Sequence, residues 1–364
     1  MKNIKKIPAV LLVAGLGLFC LTSADSVKCA ITVGLDRCVR IIIPSLYAMM
    51  AVSGILISSG ILAYSGRFFS KISKFLFGID GEMGVIFLFS ALSGYPVGAK
   101  MIYSKYNSGQ ITKKEAEILS GLCFGSGAAF IFGCIPSFGL PVLISTLSAN
   151  LILAAALAPY CRKHFKTIET PRKIAFSAET LTDGISSAGR SMAEICFCIL
   201  FFSAISEMLR NIGILQKTAE IAAKIFDISQ IRAESFLCSL LDITAVTDFA
   251  AIGGYSAVPA IAALISFGGI CVFLQISAIF RCRLSMLPLL IFRISAAIIS
   301  FILCRILQPF FISNDAISAL AVSSKLYHES SPIPSVMLIF MTIYLIAASG
   351  KTKKSCPRRN SFCK

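Results

Sequence analysis

Apolar residues gather along this chain in long runs rather than in a narrow repeating stripe. The runs free of Asp, Glu, Lys and Arg cover residues 7–24, 41–66, 83–99, 118–161, 249–280 and 330–350. An ionised side chain in hydrocarbon costs at least about 2.5 kcal/mol, and about 20 apolar residues cross a bilayer core. These runs therefore predict membrane spans. The 44 residues of 118–161 are long enough for two crossings, with Pro136, Ser137, Gly139 and Pro141 marking the bend. Two further spans carry charges: 191–209, with Glu194 and Glu207 near its ends, and 284–307, with Arg293 and Arg305. The run 83–99 is short and interrupted by Gly94, Pro96 and Gly98, which predicts a helix that enters the membrane and turns back. Such a break is tolerated where protein or a cavity covers the freed backbone groups.

The fold class predicted is thus an all-α polytopic membrane protein, with about eight transmembrane helices, a re-entrant broken helix and two transporter-like halves. Residues 1–40 hold a first span and a helix lying at the membrane surface, its apolar positions Val27, Ile31, Leu35 and Val39 four residues apart. The first span is expected to be retained, although Lys2, Lys5 and Lys6 before an apolar stretch also suit a signal peptide. Residues 41–161 form the first membrane half and 191–350 the second. Between them, 162–190 reads as a polar cytoplasmic linker, and 351–364 as a basic cytoplasmic tail. Thr112 and Glu115 match a capping box, and 214–228 patterns as a second amphipathic helix.

Composition agrees. Of 364 residues, 56% are hydrophobic and 14% charged, and the mean hydropathy is +0.83. A soluble domain carries roughly 25% charged residues. The balance of 34 Lys and Arg against 18 Asp and Glu gives +16, which by itself would suit nucleic acid. With the N-terminus inside, however, 24 of the 34 basic residues fall in cytoplasmic segments and eight outside. They read as topological anchors, with no nucleic-acid partner. Both termini are then cytoplasmic.

Soluble-enzyme chemistry finds no footing. The two histidines, His164 and His328, stand far apart, and no P-loop, paired CxxC or zinc-protease pattern occurs. Neither enzyme activity, a metal nor a cofactor is expected. What remains is polar backbone at membrane depth: Ser93-Gly94-Tyr95-Pro96-Val97-Gly98-Ala99-Lys100, then Phe124-Gly125-Ser126-Gly127, then Ser266-Phe267-Gly268-Gly269 with Gln275 beyond. Half-helix N-termini at such breaks carry partial positive charge and free N–H groups, which suit an anionic solute. Glycines there also allow close helix packing. The candidate substrate-binding residues are Ser93, Gly94, Tyr95, Pro96, Gly98, Ser126, Gly127, Gly268, Gly269 and Gln275. Asp242, Thr244, Asp248 and Arg293 are candidates for ion coupling or counter-charge, being expensive in a membrane. The two aspartates equally suit helix capping in the interfacial zone.

At these residues the sequence resembles the YlbJ-type sporulation integral membrane proteins. The octet Ser93–Lys100, the Lys-Glu-Ala-Glu helix after it and the Phe-Gly-Gly…Gln stretch carry the resemblance, which runs from about residue 30 to 310. It implies the Gate domain shared with concentrative nucleoside transporters and the ferrous-iron transporter FeoB, and a role in moving dipicolinic acid across the outer forespore membrane. The family's Asn-Ser-Gly-Pro break is here Phe124-Gly125-Ser126-Gly127-Ala128, and its Glu-x-Thr element is Asp242-Ile243-Thr244. A small organic anion is therefore the expected substrate and the lipid bilayer the expected surroundings. A nucleoside or other small solute, or a non-transporting sporulation assembly factor, are the alternatives. Oligomeric state is not legible.

Overall fold

The computed structural model describes residues 7–165 and 177–311, and every element among them is helical. The predicted span 330–350 and the basic tail lie outside the described residues. Helix α1 covers Ile7–Thr22 and α2 Ala24–Arg37; a five-residue π turn, Cys38–Ile42, joins α2 to α3, Ile43–Ser59. The surface helix read at 25–40 is therefore continuous with the span after it, as one rod of 36 residues. Pro44 lacks an N–H, and the wider π turn carries the chain past the missing bond.

Gly60, in the left-handed region, turns the chain into α4, Ile61–Phe77, which meets α5, Gly81–Ser93, at 83°. Then come α6, Tyr95–Asn107; α7, Lys113–Leu122; α8, Ala128–Cys134; and α9, Gly139–His164. The Thr112–Glu115 capping box opens α7, with the Thr112 N–H donating to Glu115 at 2.7 Å. The second half holds α10, Ala178–Asn211; α11, Ile214–Phe226; α12, Gln230–Leu241; α13, Val246–Phe267; α14, Gly269–Ile279; and α15, Leu287–Phe311.

By length and composition, five segments among the described residues can cross a membrane: 24–59, 139–164, 178–211, 243–279 and 287–311. The bent pair α4–α5 would make a sixth. The protein is an integral membrane protein of all-helical, polytopic build. Two differences from the sequence reading have clear causes. The run 118–161 supplies one long helix, α9, because the Phe124–Gly127 and Ile135–Phe138 breaks each interrupt the helix before it is long enough to cross. The stretch 178–190, read as linker, is the first part of α10: Ser177 caps it by accepting the Thr180 N–H.

Several pieces are too short to cross. Thirteen helical residues rise about 20 Å against roughly 30 Å of hydrocarbon. The pair α5–α6 is such a case, and it forms a hairpin: Glu82 at the start of α5 is ion-paired with Lys105 near the end of α6. In the second half α12 turns into α13 at Asp242, and α13 is kinked at Gly254 (φ 53°). Each half thus holds a helix interrupted at a Phe-Gly pair, Phe124-Gly125 or Phe267-Gly268.

Candidate functional site

The breaks of both halves meet. Gly94 has φ +99°, and a Cβ on it would stand 3.0 Å from Leu46 and 3.5 Å from the Ser126 carbonyl. A Cβ on Gly127 would lie 3.0 Å from Gly94 N. Gly98 packs against the Cys123 carbonyl, which accepts from Ser90 Oγ at 2.6 Å; that hydroxyl in turn accepts the Gly125 N–H at 3.0 Å. From the other half, Gly268 (φ +95°) lies under the Phe124 and Tyr95 rings, and Gly269 against Ser239, Leu240 and Ile243. Gly98, Gly127 and Gly269 are where backbone passes backbone, while Gly94 and Gly268 make room for the Leu46 side chain and the Phe124 and Tyr95 rings. Tyr95 joins the halves directly, stacking on Phe124 at 4.6 Å between centroids and donating its hydroxyl to the Ile265 carbonyl at 2.6 Å.

One small cavity, of about 30 Å³, sits at this meeting point, with Tyr95, Pro96 and Ser126 from one half facing Asp242, Thr244 and Gln275 from the other. So six of the residues singled out in the sequence converge there. Asp242 is buried; it accepts the Thr244 hydroxyl at 2.6 Å and the Thr244 N–H at 3.1 Å. Gln275 donates to Cys271 Sγ at 3.2 Å. At about the volume of one water, the cavity is closed to any organic solute in this conformation.

The chain is similar to the sporulation integral membrane protein YlbJ of Bacillus subtilis (strain 168). The two are 23% identical over 203 residues, 48% of this chain. The match spans about half the length of that relative, 50%. No family model matches the chain, and no solved structure matches it.

The remaining candidates go elsewhere. Ser93 and Ser266, each just before a break, are buried with no partner for the hydroxyl among the described residues. Asp248 and Asp242, six residues apart, do not share a site. Asp248 is exposed and ion-paired with Arg37 at 2.5 Å. Arg293 does not line the cavity. It is fully buried and spends its terminal N–H groups on Gly121 O (2.5 Å), Phe124 O (3.2 Å), Ser266 O (3.4 Å) and, twice, Asn150 Oδ1 (3.1 Å), while its Nε–H has no partner among the described residues. Gly121 and Ser266 belong to the last turns of α7 and α13, so the guanidinium sits where two half-helices end in partial negative charge.

The first half-helix N-terminus offers little to an anion. Pro96 has no N–H, and Val97 donates its own to Gly94 O at 3.2 Å. The helix α6 instead leads away from the small cavity to a large one. Lys100, the last residue of the octet, lines an open cavity of about 700 Å³ between α6, α10 and α14, together with Ser187, Arg190, Ser191 and Glu194 of α10 and Arg281. Sequence reasoning passed over this face because it took 162–190 for linker. The signal was present: 186, 187, 190, 191 and 194 share one side of a helix.

Proposed function

We propose that the protein translocates a small organic anion across a membrane during endospore formation, with dipicolinic acid the substrate that the resemblance suggests. The observation that carries this reading is the convergence of broken helices from both halves on one small, mostly apolar cavity that holds the polar groups of Ser126, Asp242, Thr244 and Gln275, beside an open vestibule lined by charged side chains. Transporters use discontinuous helices in this way, with irregular backbone tolerated only where it is buried or lines a cavity. The sporulation setting rests on the relative's name. Asp242 serves as the coupling group: a carboxylate buried beside Thr244, with no cation in contact among the described residues, calls for a proton or small cation.

Flux into proteoliposomes tests it. Dipicolinate should enter faster than uridine and be inhibited by other small aromatic dicarboxylates, and Asp242→Asn should abolish its dependence on an ion gradient. Uridine moving faster would promote a nucleoside substrate. No flux of either would leave the protein an assembly factor and sink the transport reading.

A further inference from the structure

The breaks at the centre are built for closure, and the central cavity has room for about one water beside a buried carboxylate. An anion is excluded there both by size and by the charge of Asp242 whenever that group is ionised. The charge that an anion needs lies outside. Three cationic side chains, Lys100, Arg190 and Arg281, line the cavity of about 700 Å³ described above. That is within the range of small-molecule sites, roughly 300–1,000 Å³. Asp183 and Glu194 line it too, yet no carboxylate lies within 4 Å of any of the three cations among the described residues. The cations are therefore in reach of a ligand rather than spent on salt bridges.

Lys100 is the best placed. Its ammonium is partly buried and donates only to neutral oxygens: Ser191 Oγ at 2.5 Å, Ser187 Oγ at 3.1 Å and Ser187 O at 3.2 Å. Each serine hydroxyl accepts from Lys100 and keeps its own proton, for which no acceptor appears among the described residues. A carboxylate arriving here would meet one ammonium and two hydroxyl donors held on a single helix face, a charge-assisted set. The alternative, that the lysine is a surface anchor of the membrane, does not account for its contacts with α10.

We propose that this vestibule between α6, α10 and α14 is a binding site for a small soluble organic carboxylate, with Lys100 as its principal ligand and Arg190 and Arg281 completing the field. The proposal rests on the transport reading only in calling the site a way in; binding itself needs no flux. Because α6 begins at the central cavity with Tyr95 and Pro96 and carries Lys100 in the vestibule, one helix connects the two.

Isothermal titration of the full chain in a non-ionic detergent tests it, with isophthalate as the charged probe and isophthalamide as its neutral analogue. Isophthalate should bind, isophthalamide should not, and affinity should fall as salt rises. Lys100→Gln should weaken isophthalate binding at least tenfold, Lys100→Arg by only a few-fold, and Arg281→Gln, at an exposed position, several-fold. The Arg281 variant carries the test should Lys100→Gln fail to fold. Equal binding of the amide, or unchanged affinity in both neutralised variants, overturns the site. So does tighter binding of phosphatidylglycerol than of isophthalate with displacement of the bound isophthalate, which would make it a lipid headgroup site. Vestibule variants that bind and transport like the unmodified protein would overturn this site and leave transport standing. Isophthalate binding lost in Lys100→Gln, with no flux of any anion in the unmodified protein, would keep the site and remove the transport reading.

Discussion

Arg293 separates a structural from a substrate-binding use of charge at the centre of this protein, and Arg293→Met is the change that tells them apart. Methionine keeps the length of the side chain and removes the guanidinium. Five hydrogen bonds go with it, to three backbone carbonyls and the Asn150 amide, along with a cation–π contact to Phe124 at 4.4 Å. Hydrogen bonds inside membrane proteins average about 0.6 kcal/mol each, which gives roughly 3 kcal/mol for the set. A second route agrees. Phe124 O keeps the Asn150 Nδ2 donor at 3.0 Å, but Gly121 O, Ser266 O and the Asn150 oxygen lose the Arg293 donor, at about 1–3 kcal/mol for each orphaned acceptor. Relief from no longer burying a cation without a counter-ion works the other way and holds the total near the lower end.

The expected outcome is a loss of about 3 kcal/mol, roughly a 150-fold shift in the unfolding equilibrium, measured by unfolding the purified protein in mixed micelles with SDS. Arg293→Lys keeps the charge but not the planar fork, so it should lose about half as much. Flux should fall in proportion to folded protein and no further, since Arg293 lines neither the central cavity nor the vestibule. An Arg293→Met protein within about 0.5 kcal/mol of the unmodified one would refute the clamp. Full stability with lost anion preference would return the arginine to the substrate.

Gly98→Ala puts a methyl group into the Cys123 carbonyl and within 2.6 Å of Ser90 Oγ, so it should destabilise by about 1–3 kcal/mol and lower the amount of protein recovered from membranes. Gly94→Leu should be worse, because leucine cannot hold φ +99° and Leu46 stands in its way; accumulation of a stable, inactive protein would show the space to be needed by solute instead. Tyr95→Phe removes the hydrogen bond from this ring to Ile265 O, at about 1 kcal/mol, and should slow flux more than it lowers the melting temperature. Exposed Cys29 and Cys282 report orientation: a membrane-impermeant thiol reagent should label Cys29 in intact cells and Cys282 only after permeabilisation, and the reverse pattern would invert the topology read from the basic residues.

Chemistry was more legible in this sequence than geometry. The octet around Gly94, the Phe-Gly pairs and Asp242 could be picked out because glycine, proline and acid in an apolar chain are locally anomalous. The structure brings Tyr95, Pro96, Ser126, Asp242, Thr244 and Gln275 around one cavity. Span counting did less well, since absence of charge marks what can lie in the membrane and says nothing about whether one helix crosses it. Residues 118–161 are uncharged throughout and still break twice. Asp242 and Asp248, six residues apart, offer the same two readings from the sequence, ion coupling or helix capping. The turn from α12 into α13 buries one and leaves the other facing Arg37, a partner 211 residues away that no local pattern names. Arg293 shows the same limit: its acceptors are backbone carbonyls at helix ends, which have no residue type.

The two cavities make opposite demands on charge, and that opposition bears on how such a protein could work. A fixed carboxylate at the centre and unpaired cations in the vestibule cannot both be complementary to one anion. For an anion to pass Tyr95 and Asp242, the central charge must be cancelled by a proton or small cation, and the glycine contacts at Gly94, Gly127 and Gly268 must part. Of these, only the Gly94–Gly127 contact is backbone on backbone; parting at Gly268 also requires the Phe124 and Tyr95 rings to move. The Glu82–Lys105 pair closes the α5–α6 hairpin at its base, and moving the hairpin as one body would break the Tyr95 bond to Ile265 O and the Ser90 bonds to Cys123 O and the Gly125 N–H. Neutralising Asp242 weakens what keeps an anion out while leaving the vestibule cations unchanged. Under the proposed transport, the order of events would be an anion held first at Lys100, then a coupling ion at Asp242, then opening at the glycines.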